Sequence, residues 1–147
     1  MITTLEVGAK APEIKYITVD GDEESTLTSG KETWVIFIPF AFTGVCESEL
    51  CDMRDNPNNY ITDTRDAIIV SCDSSPAQKA WAESIGFRGS LVSDFNPHGK
   101  IAQSYDNFND HLGCANRVSF LVGTDGKIAK VNAASELGKS RDLTQYV

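Results

Sequence analysis

Four cysteines and two histidines are the side chains of this 147-residue chain best suited to nucleophilic or metal chemistry. Cys46, Cys51, Cys72 and Cys114 include no C-x-x-C pair, which argues against a zinc knuckle and a thioredoxin-type dithiol. His98 and His111 are not spaced like metal ligands. Cys46 is distinguished by its place. It follows an apolar strand signal and a short loop, and it opens a helical segment. The first turn of a helix carries unpaired N–H groups and roughly half a positive charge, which favours a thiolate over a thiol. A thiolate attacks disulfides, peroxides and electrophiles alike, so position alone does not choose among them. Pro39, Phe40, Phe42 and Thr43 lie on the preceding loop, Glu49 and Cys51 follow along the helix, and Arg117 starts a later strand. Each has an ordinary reading as well: strand terminator, core ring, capping residue, surface ion pair, or a cysteine serving as a small buried hydrophobe.

The elements that must position these residues are legible as periodicities. Ile14 to Val19 alternates like a half-exposed strand, and Asp20-Gly21-Asp22 turns the chain toward Ser25 to Leu27, which predicts a hairpin. That acidic turn departs from a calcium loop, with Ser25 at the glycine position and Lys31 at the glutamate position. Trp34 to Ile38 is an unbroken apolar run, as expected of a strand covered on both faces, and Pro39 ends it. A helix is predicted from Cys46 to Arg54, stopped by Asn56-Pro57-Asn58. Ala67 to Ser71 reads as a second buried strand. Ser75-Pro76 reads as N-cap and first-turn proline of a helix that places Ala77, Ala80, Trp81, Ser84 and Ile85 on one face and closes at Gly86. A short strand at Leu91-Val92, a short helix over Gly99 to Tyr105, and a final hairpin of Val118–Val122 and Ile128–Val131 complete the order. Alternating strands and helices imply parallel pairing with right-handed crossovers, and the last hairpin adds an antiparallel edge. The expected architecture is a thioredoxin-like α/β fold over residues 1–147: a central mixed sheet flanked by helices, with an N-terminal β-hairpin.

Composition narrows the function classes. A net charge of −8 without a Lys/Arg cluster disfavours nucleic acid. No apolar run approaches the ~20 residues that span a bilayer, and Met1 to Pro12 contains charges in place of a signal-peptide core, so a cytoplasmic protein with free thiols at rest is expected. Neither G-x-G-x-x-G nor a P-loop is present, so no nucleotide cofactor is expected.

The string Pro39-Phe40-Ala41-Phe42-Thr43-Gly44-Val45-Cys46 has the form P-x-x-x-T-x-x-C. It resembles the active-site signature of the peroxiredoxin family. Trp81, Ser93-Asp94-Phe95, His98-Gly99 and Ala115 to Val122 extend the similarity over nearly the whole chain, most closely to AhpE-like one-cysteine members. The resemblance implies a peroxidatic Cys46, a Thr43 hydroxyl that hydrogen-bonds the peroxide and thiolate, a shielding Pro39, and a catalytic Arg117. It implies a hydroperoxide substrate, a homodimer, and an external thiol or thioredoxin-like reductant. The chemistry is an in-line displacement on an O–O bond, so the site must align the bond with sulfur and stabilise charge on both oxygens. Backbone N–H groups at Val45 and Cys46 are candidates for that, Glu49 is placed to hold Arg117, and Phe40 or Phe42 is expected to border the substrate pocket.

Attack leaves a sulfenic acid that a second thiol must resolve. Cys51, five residues on, occupies the offset of the resolving cysteine in the bacterioferritin-comigratory branch, whereas AhpE-like members generally lack it. In an intact helix that offset spans about 7.5 Å of rise and ~140° of rotation, too far for a disulfide, so the pairing requires the first turns to unwind. Cys72 reads as core, and Cys114 as a more distant alternative. Two rival functions remain open at this level: a Cys–His hydrolase using His98 or His111, and a non-catalytic thioredoxin-fold binding module.

Overall fold

The computed structural model describes residues 4–18, 20–134 and 141. Its centre is a five-stranded mixed sheet in the order β5-β4-β3-β8-β9. Strands β3 (Glu32–Phe37), β4 (Arg65–Ser71) and β5 (Ser90–Ser93) run parallel, while β8 (Val118–Val122) and β9 (Ile128–Ala133) continue the sheet antiparallel from the other side of β3. The unbroken apolar run of β3 is explained by this place: it has neighbours on both edges and cover on both faces.

Alternate residues of the strands feed two cores. Trp34, Ile36, Ala67, Ile69 and Leu121 face α1 (Gly44–Asp55) and α2 (Ser75–Ile85), where Leu50, Met53, Trp81 and Ala82 meet them. Val35, Phe37, Ile68, Val70 and Phe120 face the opposite side, packed on Ala102 of α3 (Lys100–Ser104) and on Tyr105. The period-2 alternation therefore sorts one sheet into two apolar layers. The N-terminal hairpin forms a separate sheet of β1 (Lys15–Ile17) and β2 (Glu23–Ser25).

Several boundaries differ from expectation. The second hairpin strand lies at Glu23–Ser25, earlier than Ser25 to Leu27, because the register pairs Ile17 with Glu23 and leaves Leu27 exposed in the turn. Val19 lies outside the described residues. The N-cap of α2 is Ser74, whose Oγ accepts from the Ala77 N–H at 3.4 Å; Ser75 is already helical. The buried face of α2 is also rotated. Gln78 is buried in place of Ala80 and Ser84, because its Nε2 donates to Ser71 Oγ and to the Val92 carbonyl, both at 2.9 Å. A buried amide satisfied in this way behaves as core. Gly86 closes α2 as expected, with φ 71° and its N–H on the Ala82 and Glu83 carbonyls. Two-residue strands β6 (Phe108–Asn109) and β7 (Cys114–Ala115) form a further hairpin too short to show a periodicity. It leads directly into Arg117 and β8.

Candidate active site

Helix α1 begins at Gly44, two residues before the expected start, so Cys46 is its third residue. The first intrahelical bond is Glu47 N–H to the Thr43 carbonyl at 2.8 Å, which leaves the amides of Gly44, Val45 and Cys46 upstream of the ladder. Thr43 is the N-cap residue, but its side chain does not cap: Oγ1 donates to the Phe40 carbonyl at 2.9 Å. The helix mouth at Cys46 therefore presents donors that no side chain of the cap has taken. That bond directs the Thr43 hydroxyl proton to the Phe40 carbonyl and leaves the lone pairs of Oγ1 as acceptors.

The loop before the helix is held from below. Ala41 N–H donates to Asp73 Oδ2 at 2.9 Å, and Pro39 is buried at the end of β3. Phe42 adopts a positive φ of 61°, a conformation unusual for a bulky residue, at the turn into the helix. Its ring is 60% exposed and lies 6.3 Å from Trp81, while Phe40 is half-exposed at the rim. Trp81, read from sequence as core, is fully buried, and its Nε1 also reaches Glu47 Oε1 at 3.4 Å.

Cys46 itself is 0% exposed, against Ile36, Ile38 and Leu50 in the apolar layer below α1. Phe42, Thr43 and Gly44, just before it in the chain, are exposed. One turn along, Glu49 shares the Cys46 face of the helix. Arg117, 3% exposed, donates through Nη1 to Glu49 Oε1 at 2.6 Å. A second guanidinium closes on the same carboxylate. Arg141 donates from Nη2 to Oε1 at 2.7 Å, from Nε to Oε2 at 2.9 Å, and from its backbone N–H to Oε2 at 3.1 Å. Its Nη1 reaches the Phe37 carbonyl at 2.7 Å and Ser119 Oγ at 2.9 Å, tying α1 to β3 and β8. Burial pushes the Glu49 carboxyl up, but the Arg141 hydrogen bonds and the two guanidinium charges outweigh it and hold the group below its ordinary value.

Arg141 was not singled out from the sequence, where it is a lone arginine among polar residues, 92 positions from its partner. Only the tertiary fold reveals it. The remaining cysteines are placed unevenly. Cys51 is half-buried further along the unbroken α1; Cys72 and Cys114 are buried, and all four are free thiols. His98 is engaged elsewhere, with Nε2 at 2.7 Å from the Gly113 carbonyl and its ring against Phe95 and Phe108.

The AhpC/TSA family model matches residues 7–131, most of the chain and every site residue above except Arg141. The chain belongs to the AhpC/TSA family of peroxiredoxins. Alkyl hydroperoxide reductase E of Mycobacterium tuberculosis is 36% identical over 142 residues, covering 94% of this chain and 91% of the relative. Alkyl hydroperoxide reductase C of Escherichia coli is 31% identical over 124 residues, covering 82% of this chain and 65% of that protein. Among solved structures, Enterococcus faecalis AhpC superposes with a TM-score of 0.78 at 28% identity, over 95% of this chain and 86% of the other. The thioredoxin-like architecture expected from the sequence is thus shared with known peroxiredoxins. In this peroxiredoxin the signature loop, the helix mouth and the Arg117–Glu49–Arg141 cluster lie at one end of the sheet, beside the carboxyl ends of β3 and β4.

Proposed function

We propose that this peroxiredoxin reduces hydrogen peroxide and organic hydroperoxides with the thiolate of Cys46. The observation that carries the reading is the uncapped helix mouth at Cys46, one turn from a buried guanidinium–carboxylate cluster. The sulfur attacks one peroxide oxygen, the O–O bond breaks, and the second oxygen leaves and takes a proton to depart as water or an alcohol. Cys46 becomes a sulfenic acid. Amides of Val45 and Cys46 donate to the oxygens, and Arg117 stabilises negative charge at sulfur and at the leaving oxygen. Thr43 accepts the peroxide O–H and so fixes which oxygen faces sulfur. Pro39 keeps water from the sulfur, and Phe40 and Phe42 form the entry rim. Because Cys46 is covered, substrate entry requires the loop through Phe42 and Thr43 to yield. Under this reading the protein is a cytoplasmic homodimer that draws electrons from an external thiol or thioredoxin-like reductant.

Thr43 gives a direct test because it is exposed and carries little packing. Thr43→Val is expected to lower kcat/KM for hydroperoxide by about 10²-fold, as removal of one preorganised polar contact does, with the melting temperature unchanged. An unchanged rate constant in stopped-flow peroxide consumption would remove Thr43 from the mechanism.

Cys51 is the first candidate to resolve the sulfenic acid. Cys46 and Cys51 sit in one continuous helix, and Glu49 between them is clamped by two arginines. Only the turn from Gly44 to Ser48 can unwind without breaking that clamp. Cys51→Ser is expected to leave the first, peroxide-dependent step intact and to change only which reductant supports turnover. Peptide mapping of peroxide-treated protein checks this: consistent absence of a 46–51 linkage rules out the two-cysteine route through Cys51.

A further inference from the structure

The peptide unit that joins Phe40 to Ala41 is held on both sides. Its N–H, carried by Ala41, donates to Asp73 Oδ2 at 2.9 Å, and its carbonyl, carried by Phe40, accepts from Thr43 Oγ1 at 2.9 Å. One peptide plane thus stands between the two side chains. Asp73 is itself fixed. It lies just past β4 and directly before Ser74, the N-cap of α2. Its backbone carbonyl accepts from Ser93 Oγ at 2.7 Å, which ties it to the end of β5. The loop it reaches continues into Phe42 at a φ of 61°, a conformation that persists only where surrounding contacts sustain it.

We infer that Asp73 is a positioning residue of the peroxidase reaction, setting the Thr43 hydroxyl through the Phe40–Ala41 peptide. This rests on the reading that Thr43 accepts the peroxide O–H. A peptide whose N–H is bound to an anion is polarised, and its carbonyl becomes a stronger acceptor. The Phe40 carbonyl therefore holds the Thr43 proton, and the lone pairs of Oγ1 are left for substrate. Geometry acts in the same direction. The N–H and C=O of one peptide share a plane, so an anchored N–H fixes the line along which the carbonyl meets Thr43. Without Asp73 that plane is free to tilt, and the hydroxyl bonded to it tilts as well.

The test is a double-mutant cycle on the full chain, read as kcat/KM for hydrogen peroxide by stopped flow. Asp73→Ala is expected to lower it about tenfold, less than Thr43→Val, because the hydroxyl is displaced and not removed. Asp73→Asn keeps a side-chain carbonyl oxygen for the Ala41 N–H and is expected to recover most of that loss. In the Thr43→Val background, Asp73→Ala is expected to change the rate constant by less than about twofold, since no hydroxyl remains to be set. A role confined to holding the fold predicts equal losses in both backgrounds. Such additivity overturns this inference alone, as does an Asp73→Ala chain with the wild-type rate constant. A Thr43→Val chain at the wild-type rate overturns it together with the reading of Thr43 on which it rests. Amide hydrogen exchange on the wild-type chain needs no variant to fold. The Ala41 N–H is expected to exchange at least about tenfold more slowly than an unstructured amide, and exchange at the unstructured rate would remove the anchor.

Discussion

Cys46→Ser is expected to reduce hydroperoxide consumption to the rate of free thiols, a loss of roughly a thousandfold or more. The size of the effect follows from what the other cysteines cannot supply. Burial is the main force pushing Cys72 up to about 12 and Cys114 up to about 11. At neutral pH their thiolate fractions are then roughly 10⁻⁵ and 10⁻⁴. Both are also buried. Cys51 lies beyond the Glu49 clamp, away from the helix mouth. The serine variant should fold normally, because the two side chains differ little in size and the helix does not depend on the sulfur. Steady-state peroxide loss with dithiothreitol as reductant checks the result. A variant that keeps the wild-type rate would move the nucleophile elsewhere.

Glu49→Ala should produce the largest loss of stability. The carboxylate receives four hydrogen bonds from Arg117 and Arg141, and all three side chains are within 5% of full burial. Removing it leaves two guanidiniums without their shared anion inside the protein. Breaking a buried pair from one side costs about 3–5 kcal/mol, a large part of a stability that is itself about 5–15 kcal/mol. For a chain of this length the melting temperature should fall by roughly 10 °C. The activity should fall too, since Arg117 loses the group that orients it. Glu49→Gln separates charge from shape. The folded-state carboxyl is lowered from 4.5, so its stabilisation is complete above that ordinary value and is lost as pH falls through the lower folded value. The stability gap between wild type and Glu49→Gln should therefore be widest near neutrality and close in acid. Urea titrations at several pH values measure it; a gap independent of pH would mean that the carboxylate charge contributes nothing.

The sequence was most readable where chemistry and local structure coincide. Pro39, Thr43 and Cys46 lie on one strand–loop–helix passage, so their types, spacing and elements could be read together. Glu49 follows at one helical turn, and the partner expected for it, Arg117, is one of the two the fold supplies. Arg141 was invisible because its role depends on three elements meeting from distant parts of the chain. The Thr43 hydroxyl shows a different limit: the residue type is legible, but its hydrogen bond to the Phe40 carbonyl is made only by the folded loop. Adjacent serines at 74 and 75 offer nearly equal caps, and only the Ala77 contact distinguishes them. Gln78 defied the apolar pattern because buried partners satisfy its amide. The β6–β7 hairpin carries too few residues for alternation to register.

One measurement bears most directly on Cys46 as the atom that cleaves the peroxide. In the Cys51→Ser/Cys114→Ser chain, one equivalent of hydroperoxide is added with dimedone present and the adduct is located by peptide mass spectrometry. The account predicts one adduct per chain, on Cys46. Peroxide consumed while the Cys46 thiol stays unmodified would contradict it.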